Sequence, residues 1–107
     1  MIARTWKAIA TSANAPRYAQ HFRDAVIPEL EHIAGHAGAC LMQRETGSHV
    51  ELVVLTLWES MAAIGKFAGA DQDRAVVAPE ALAVLESFDA RVQHFEIVHS
   101  TFDTRRP

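Results

Sequence analysis

Four side chains in this sequence recur at a spacing that could do chemistry: Arg4 and Trp6 near the start, His94 and Glu96 near the end. Each pair lies two residues apart. On a strand, where side chains alternate between faces, the members of a pair share a side, and Ile2 joins Arg4 and Trp6 on theirs. Histidine is the side chain whose protonation is most easily tuned near neutral pH, which makes His94 the candidate general base. Arg4 is the candidate anchor for a phenolate, carboxylate or enolate, which a guanidinium holds through charge-assisted hydrogen bonds. Together in an apolar cavity they would suit removal of a proton from an electron-rich ring, with water kept from the resulting anion. Two plainer readings compete. Arg4 and Glu96 would form an internal ion pair, and His94 would be a hydrogen-bonded structural residue.

Trp58, Phe22, Phe67 and Tyr18 offer flat walls for an aromatic ligand, although each also sits at core spacing on its own element. His32 and His36 are four residues apart, but Gly35 and a helix end fall between them and no third ligand follows at metal-site spacing. The sequence has no Gly-rich phosphate loop, nucleophile elbow or Ser-His-Asp spacing. No metal and no cofactor are expected.

These residues need elements to position them. Ile2 to Ile9 alternates loosely and predicts a first strand. Pro16 suits the first turn of a helix, and Tyr18, Phe22, Ala25, Val26, Leu30 and Ile33 recur at steps of three and four as one apolar stripe. Pro28, late in that helix, should kink or interrupt it. Ala39 to Glu45 and Val50 to Trp58 form a hairpin around Thr46, Gly47 and Ser48. Ser60 caps a second helix with Met61, Ile64 and Phe67 inward, and Pro79 opens a short one carrying Leu82, Leu85 and Phe88. Arg91 to His99 is the last strand. The order is the split βαβ arrangement of an α+β, ferredoxin-like fold: a four-stranded antiparallel sheet with helices on one face.

A sheet covered on one side should alternate apolar and polar residues. The run from Leu52 to Trp58 does not: Val53, Leu55 and Leu57 lie on one side, Leu52, Val54 and Trp58 on the other. Phe95 and Ile97 oppose Val92 and Val98 in the same way. Both faces want to be dry, yet the helices suffice for one. A face of four strands spans on the order of 400 Å², as large as the apolar patches monomers tolerate. A homodimer through that open face is the expected cover.

With 107 residues the chain is one domain, read as residues 1–100 followed by a tail at 101–107. The net charge of −3 and the scattered Lys and Arg, adjacent only as Arg105 and Arg106 in the tail, exclude nucleic acid as the main partner. The single cysteine, Cys40, rules out an internal disulfide, and its apolar neighbours predict a buried structural thiol. No charged leader precedes an apolar block and no apolar run approaches a membrane span, so a cytoplasmic protein without membrane contact is expected.

The run from Trp58 to Gly69, the segment Arg91 to Glu96 and the opening Ile2 to Trp6 resemble the antibiotic biosynthesis monooxygenase family over residues 2–99. The resemblance implies a dimeric α+β barrel with a cavity between sheet and helices in each subunit, and places Trp6, hence Arg4, toward that cavity. It implies one of two activities. Some members oxidise phenolic or quinone-precursor substrates with dioxygen and no cofactor; others bind and open haem. The haem-degrading members use an Asn, a Trp and a His at positions matched here by Trp6, Phe67 and Val77. With no His between Val50 and Gln93, haem degradation is disfavoured. The expected function is a cofactor-independent monooxygenase acting on a small aromatic or polyketide-type compound. Arg4 and His94 would be catalytic, with Trp6, Phe22, Trp58, Phe67 and Glu96 around the substrate. The alternative is a non-catalytic ligand-binding or stress-response dimer.

Overall fold

A computed structural model describes residues 1–101; the tail, with Arg105 and Arg106, lies outside the described residues apart from Thr101. The elements are β1 (Ile2–Thr11), α1 (Ala15–His21), a π-helical turn (Phe22–Val26), α2 (Ile27–Glu31), β2 (His36–Thr46), β3 (His49–Trp58), α3 (Met61–Ala68), α4 (Pro79–Leu82), β4 (Ser87–Phe88) and β5 (Gln93–Glu96). The strands form one antiparallel sheet in the order β2-β3-β1, with β4 and β5 end to end on the far edge of β1. The expected α+β, ferredoxin-like fold is present, and within one chain the sheet is open rather than closed into a barrel.

Two turns reflect local chemistry. Gly47 has φ 71° while among the described residues no non-glycine residue has positive φ, which is the pattern of a type II′ hairpin turn with glycine first. Ser60 accepts a hydrogen bond from Ala63 N–H at 3.2 Å and so caps α3. The long helix is the larger surprise. Instead of kinking at Pro28 it widens just before it, where Ile27 N–H reaches back five residues to the Phe22 carbonyl. Pro28 has no N–H for a regular α turn and its ring crowds the preceding one; the wide π turn accommodates both. It also rotates the stripe, so that Ala25, expected inside, is exposed.

The predicted last strand, Arg91 to His99, is shorter, reduced to β5, and β4 forms at Ser87–Phe88, where the short helix was expected to reach. Asp89 N–H still donates to Lys7 O of β1 at 2.9 Å, but residues 90–92 leave β1 because their backbone pairs elsewhere: Val92 N–H with Asp73 O at 2.8 Å, and Ala75 N–H with Ala90 O at 2.9 Å. The loop after α3 is thereby stitched to the sheet edge, and Val92 turns inward. Leu82 and Phe88, expected in the core, are exposed, and Ala81 takes the buried place on α4.

One face of the sheet carries Arg4, Trp6, Ala8 and Ala10 of β1 with Val50, Leu52, Thr56 and Trp58 of β3, all buried beneath the helices. Leu30, Trp58, Ala63 and Ile64 close one end; Tyr18, Phe22, Leu52, Ala81 and Val92 gather at the other. Burying each large side chain contributes about 1.5–3 kcal/mol. The opposite face, with Leu57, Leu55 and Val53 of β3, has no helix over it among the described residues, and Met42 and Phe95 stand 45% and 53% exposed. Cys40 lies there, exposed rather than buried, because β2 runs along the sheet edge and its register sets Cys40 beside Leu55 on the uncovered side.

Candidate functional site

Alternation along β1 points Arg4 under the helices, where it is only 4% exposed. A buried guanidinium must have its charge and its N–H groups answered. Arg4 Nη1 donates to Gln72 O at 2.6 Å and Nη2 to Arg74 O at 2.9 Å, so the loop after α3 is tied down from inside. Nη1 also contacts His94 Nε2 at 2.9 Å. Arginine has no lone pair, so Nε2 is the acceptor, and the remaining proton of a neutral imidazole sits on Nδ1, 3.2 Å from Asp73 Oδ1. The ring of Phe67 lies 5.7 Å from the guanidinium carbon, giving it a cation–π contact.

Among the described residues no carboxylate is within ion-pair distance of Arg4. Burial draws its pKa below the ordinary guanidinium value; the field of Asp73, at one remove through His94, partly restores it. The cation is therefore held but not neutralised, and its bonds do not exhaust its N–H groups. The Arg4–Glu96 pair does not form: Glu96 is exposed at the end of β5, away from the cavity.

Arg4 opens into a cavity of about 230 Å³ between the sheet and the long helix, walled by Trp6, Tyr18, His21, Phe67, Val77 and Val92 among others. Trp6 is fixed by donating from Nε1 to Asp89 O at 2.8 Å. Tyr18 sits 6.1 Å from the Trp6 ring, and burial pushes its hydroxyl pKa up to about 12. Thr56 sits beside Arg4 in the register and accepts from Trp58 Nε1 at 2.8 Å. Trp6 and Phe67 thus face the cavity. Trp58 is fully buried and stacked on Phe67, and Phe22 is packed in the core; neither lines it.

His94 stands behind Arg4 with its one lone pair directed at the guanidinium, so in this arrangement it positions Arg4 and has no lone pair for a ligand. Burial first, then the Arg4 charge, hold its pKa below the ordinary imidazole value, while Asp73 pulls it back. Among the cavity residues that the sequence reading did not mark, His21 and Thr56 are polar and inward of the rim. A regular helix turns His21 off the apolar stripe, and only the π turn returns Val26, Glu29 and Leu30 to its side. Thr56 sits mid-strand among aliphatic residues, and only its partnership with Trp58 marks it.

Among solved structures the chain superposes on a Bacillus cereus protein provisionally named an antibiotic biosynthesis monooxygenase, with a TM-score of 0.64 at 15% identity over 95% of this chain and 97% of that one. A Deinococcus radiodurans protein with the same provisional name gives 0.63 at 11% identity, over 96% and 98%. The haem degrader MhuD of Mycobacterium tuberculosis, solved with two haems in its active site, gives 0.63 at 22% identity over 95% and 100%. No family model matches the chain, and no curated protein matches it by sequence. At these identities the likeness establishes a common fold: the ferredoxin-like α+β fold of the antibiotic biosynthesis monooxygenase structures. Among the described residues no helix is long and apolar enough to cross a membrane.

Proposed function

We propose that the protein is a homodimeric member of the antibiotic biosynthesis monooxygenase family whose cavity binds a small aromatic anion and presents it to dioxygen. The observation that supports this is the buried, un-neutralised Arg4 cation in an aromatic-walled cavity. Charge without a counter-ion in such a place is costly, and an incoming phenolate or enolate relieves that cost while its ring lies against Trp6, Tyr18 and Phe67. A cavity of about 150 Å³ holds benzene. The 230 Å³ here therefore favours one ring, or two fused rings, over a larger polyketide.

The oxidation needs no external reductant. An activated CH₂ of the substrate becomes a carbonyl; one atom of dioxygen enters the product and the other leaves as water, so the substrate supplies all the electrons. The chain's part is to hold the oxyanion on Arg4, keep water out with the loop that Arg4 secures, and leave the activated carbon open to dioxygen. His94 keeps the guanidinium in place.

Haem does not fit this site. The cavity is smaller than the ~300 Å³ of ordinary ligand pockets, and Val77 lines it at the position where the family resemblance implies a histidine in haem-degrading members. The deciding experiment is oxygen uptake with a panel of phenols, naphthols and their carbonyl tautomers. Uptake by the wild-type chain, lost at least about tenfold in Arg4→Met with the far-ultraviolet spectrum intact, is expected. Binding without uptake would replace the enzyme with the ligand-sequestering alternative.

A further inference from the structure

We propose that His21 is the proton acceptor of this cavity, taking the ligand's proton while Arg4 receives the oxyanion. The inference rests on the reading of the cavity as an aromatic-anion site and adds the group that makes the anion. An acceptor is needed because His94 cannot serve: its lone pair already faces the Arg4 guanidinium.

His21 lines the cavity from the last turn of α1, half-buried, its ring 5.8 Å from that of Tyr18. Among the described residues its ring nitrogens have no protein hydrogen-bond partner; a neutral imidazole there keeps a lone pair for a ligand. The π turn beginning at Phe22 is an independent pointer, since π turns in helices concentrate at functional sites. Here it has a clear effect. Val26 stands five residues after His21, which an α-helix would rotate well away, yet both line the same cavity. The wide turn holds His21 over the cavity while Val26 and Leu30 continue its wall.

The other titratable groups around the cavity are accounted for. Arg4 faces it from β1, Tyr18 from α1 and Glu29, exposed, from α2. The loop after α3 contributes Val76, Val77 and Ala78, and the sheet edge Val92, none of which titrates. Tyr18, pushed up to about 12, stays protonated at neutral pH and cannot serve as the base. In the step itself the ligand's O–H bond breaks, the proton moves to the free ring nitrogen of His21, and the electron pair stays on the oxygen held by the remaining N–H groups of Arg4. No oxidant takes part.

Equilibrium binding of two probes at about pH 7 tests this: 2,4-dinitrophenol, which is already an anion in that buffer, and 4-cyanophenol, which still mostly carries its proton there. The wild-type protein should bind both as phenolates, read from their absorption spectra. His21→Gln should bind 4-cyanophenol, whose proton has to be taken up, at least about tenfold more weakly, and should weaken 2,4-dinitrophenol clearly less. His21→Phe, which preserves ring packing against Tyr18, should behave likewise. If Arg4→Met loses both probes while both His21 variants bind 4-cyanophenol as the wild type does, the assignment to His21 falls and the cavity reading stands. Equal loss of the two probes would make His21 a packing residue and also overturn the proposal. Failure of the wild-type protein to bind either probe, or undiminished binding by Arg4→Met, would overturn the cavity reading itself.

Discussion

Arg4, His94 and Asp73 form a line in which each residue answers the next: carboxylate to Nδ1–H, Nε2 to guanidinium. Strand alternation already put Arg4 and Trp6 on one side, and the structure agrees. The Arg4–Glu96 alternative fails because Glu96 lies at the exposed sheet end while two loop carbonyls, invisible to side-chain patterns, take its place. A carbonyl's partner depends on where a loop returns, and residue types alone do not carry that. The line has a consequence in acid. Burial and Arg4 lower the His94 pKa, and burial chiefly lowers that of His36, whose Nε2 is buried beside Trp58 without a hydrogen-bond partner among the described residues. In the unfolded chain both return to their ordinary 6.5. Unfolding therefore takes up protons, so the stability due to neutral imidazole is complete above about pH 6.5 and declines as pH falls toward the folded values. The urea midpoint should drop between about pH 7.5 and 5.5, less steeply in His94→Gln. A midpoint indifferent to pH over that range would contradict the neutral His94 assignment.

Among the elements, the hairpin, the capped α3 and the first strand were legible because turn glycines, a capping serine and period-two alternation are local signals. The π turn was not, since Pro28 announces a disturbed helix without saying how it is absorbed. The late start of the last strand was hidden for a related reason: residues 90–92 pair with the loop after α3, a contact between distant segments. One junction sets the approach of α3 to the start of β2. Gly35 has φ 91°, and a Cβ there would run into that of Ala63 on the buried side of α3. Backbone strain of about 1–2 kcal/mol adds to overpacking of about 1–3 kcal/mol, so Gly35→Ala should lose about 2–5 kcal/mol in urea unfolding. A loss below about 1 kcal/mol would show that the junction yields, and that the helix is not held there as described.

For the molecule as a whole, the failure of β3 to alternate was the most informative pattern in the sequence, because it says what one chain lacks. Among the described residues, Val53, Leu55, Leu57, Met42, Phe95 and Cys40 lie on a face with no helix. We propose that a second copy covers it, since an isologous pairing supplies a surface of the same apolar character. Light scattering at micromolar concentration should report twice the 11.8 kDa chain mass, and Leu55→Lys, at the middle of the face, should return it to one chain. A monomeric wild-type protein would leave that face unexplained.

The central claim is that an un-neutralised Arg4 cation makes the cavity selective for aromatic anions. Its most direct test compares 4-nitrophenolate with 4-nitroanisole, of nearly the same shape but without the charge, by equilibrium dialysis above neutral pH. Charge-assisted hydrogen bonds of about 1.5–3 kcal/mol predict that the phenolate binds at least about tenfold more tightly. Equal binding of the two, or binding of neither, would contradict it.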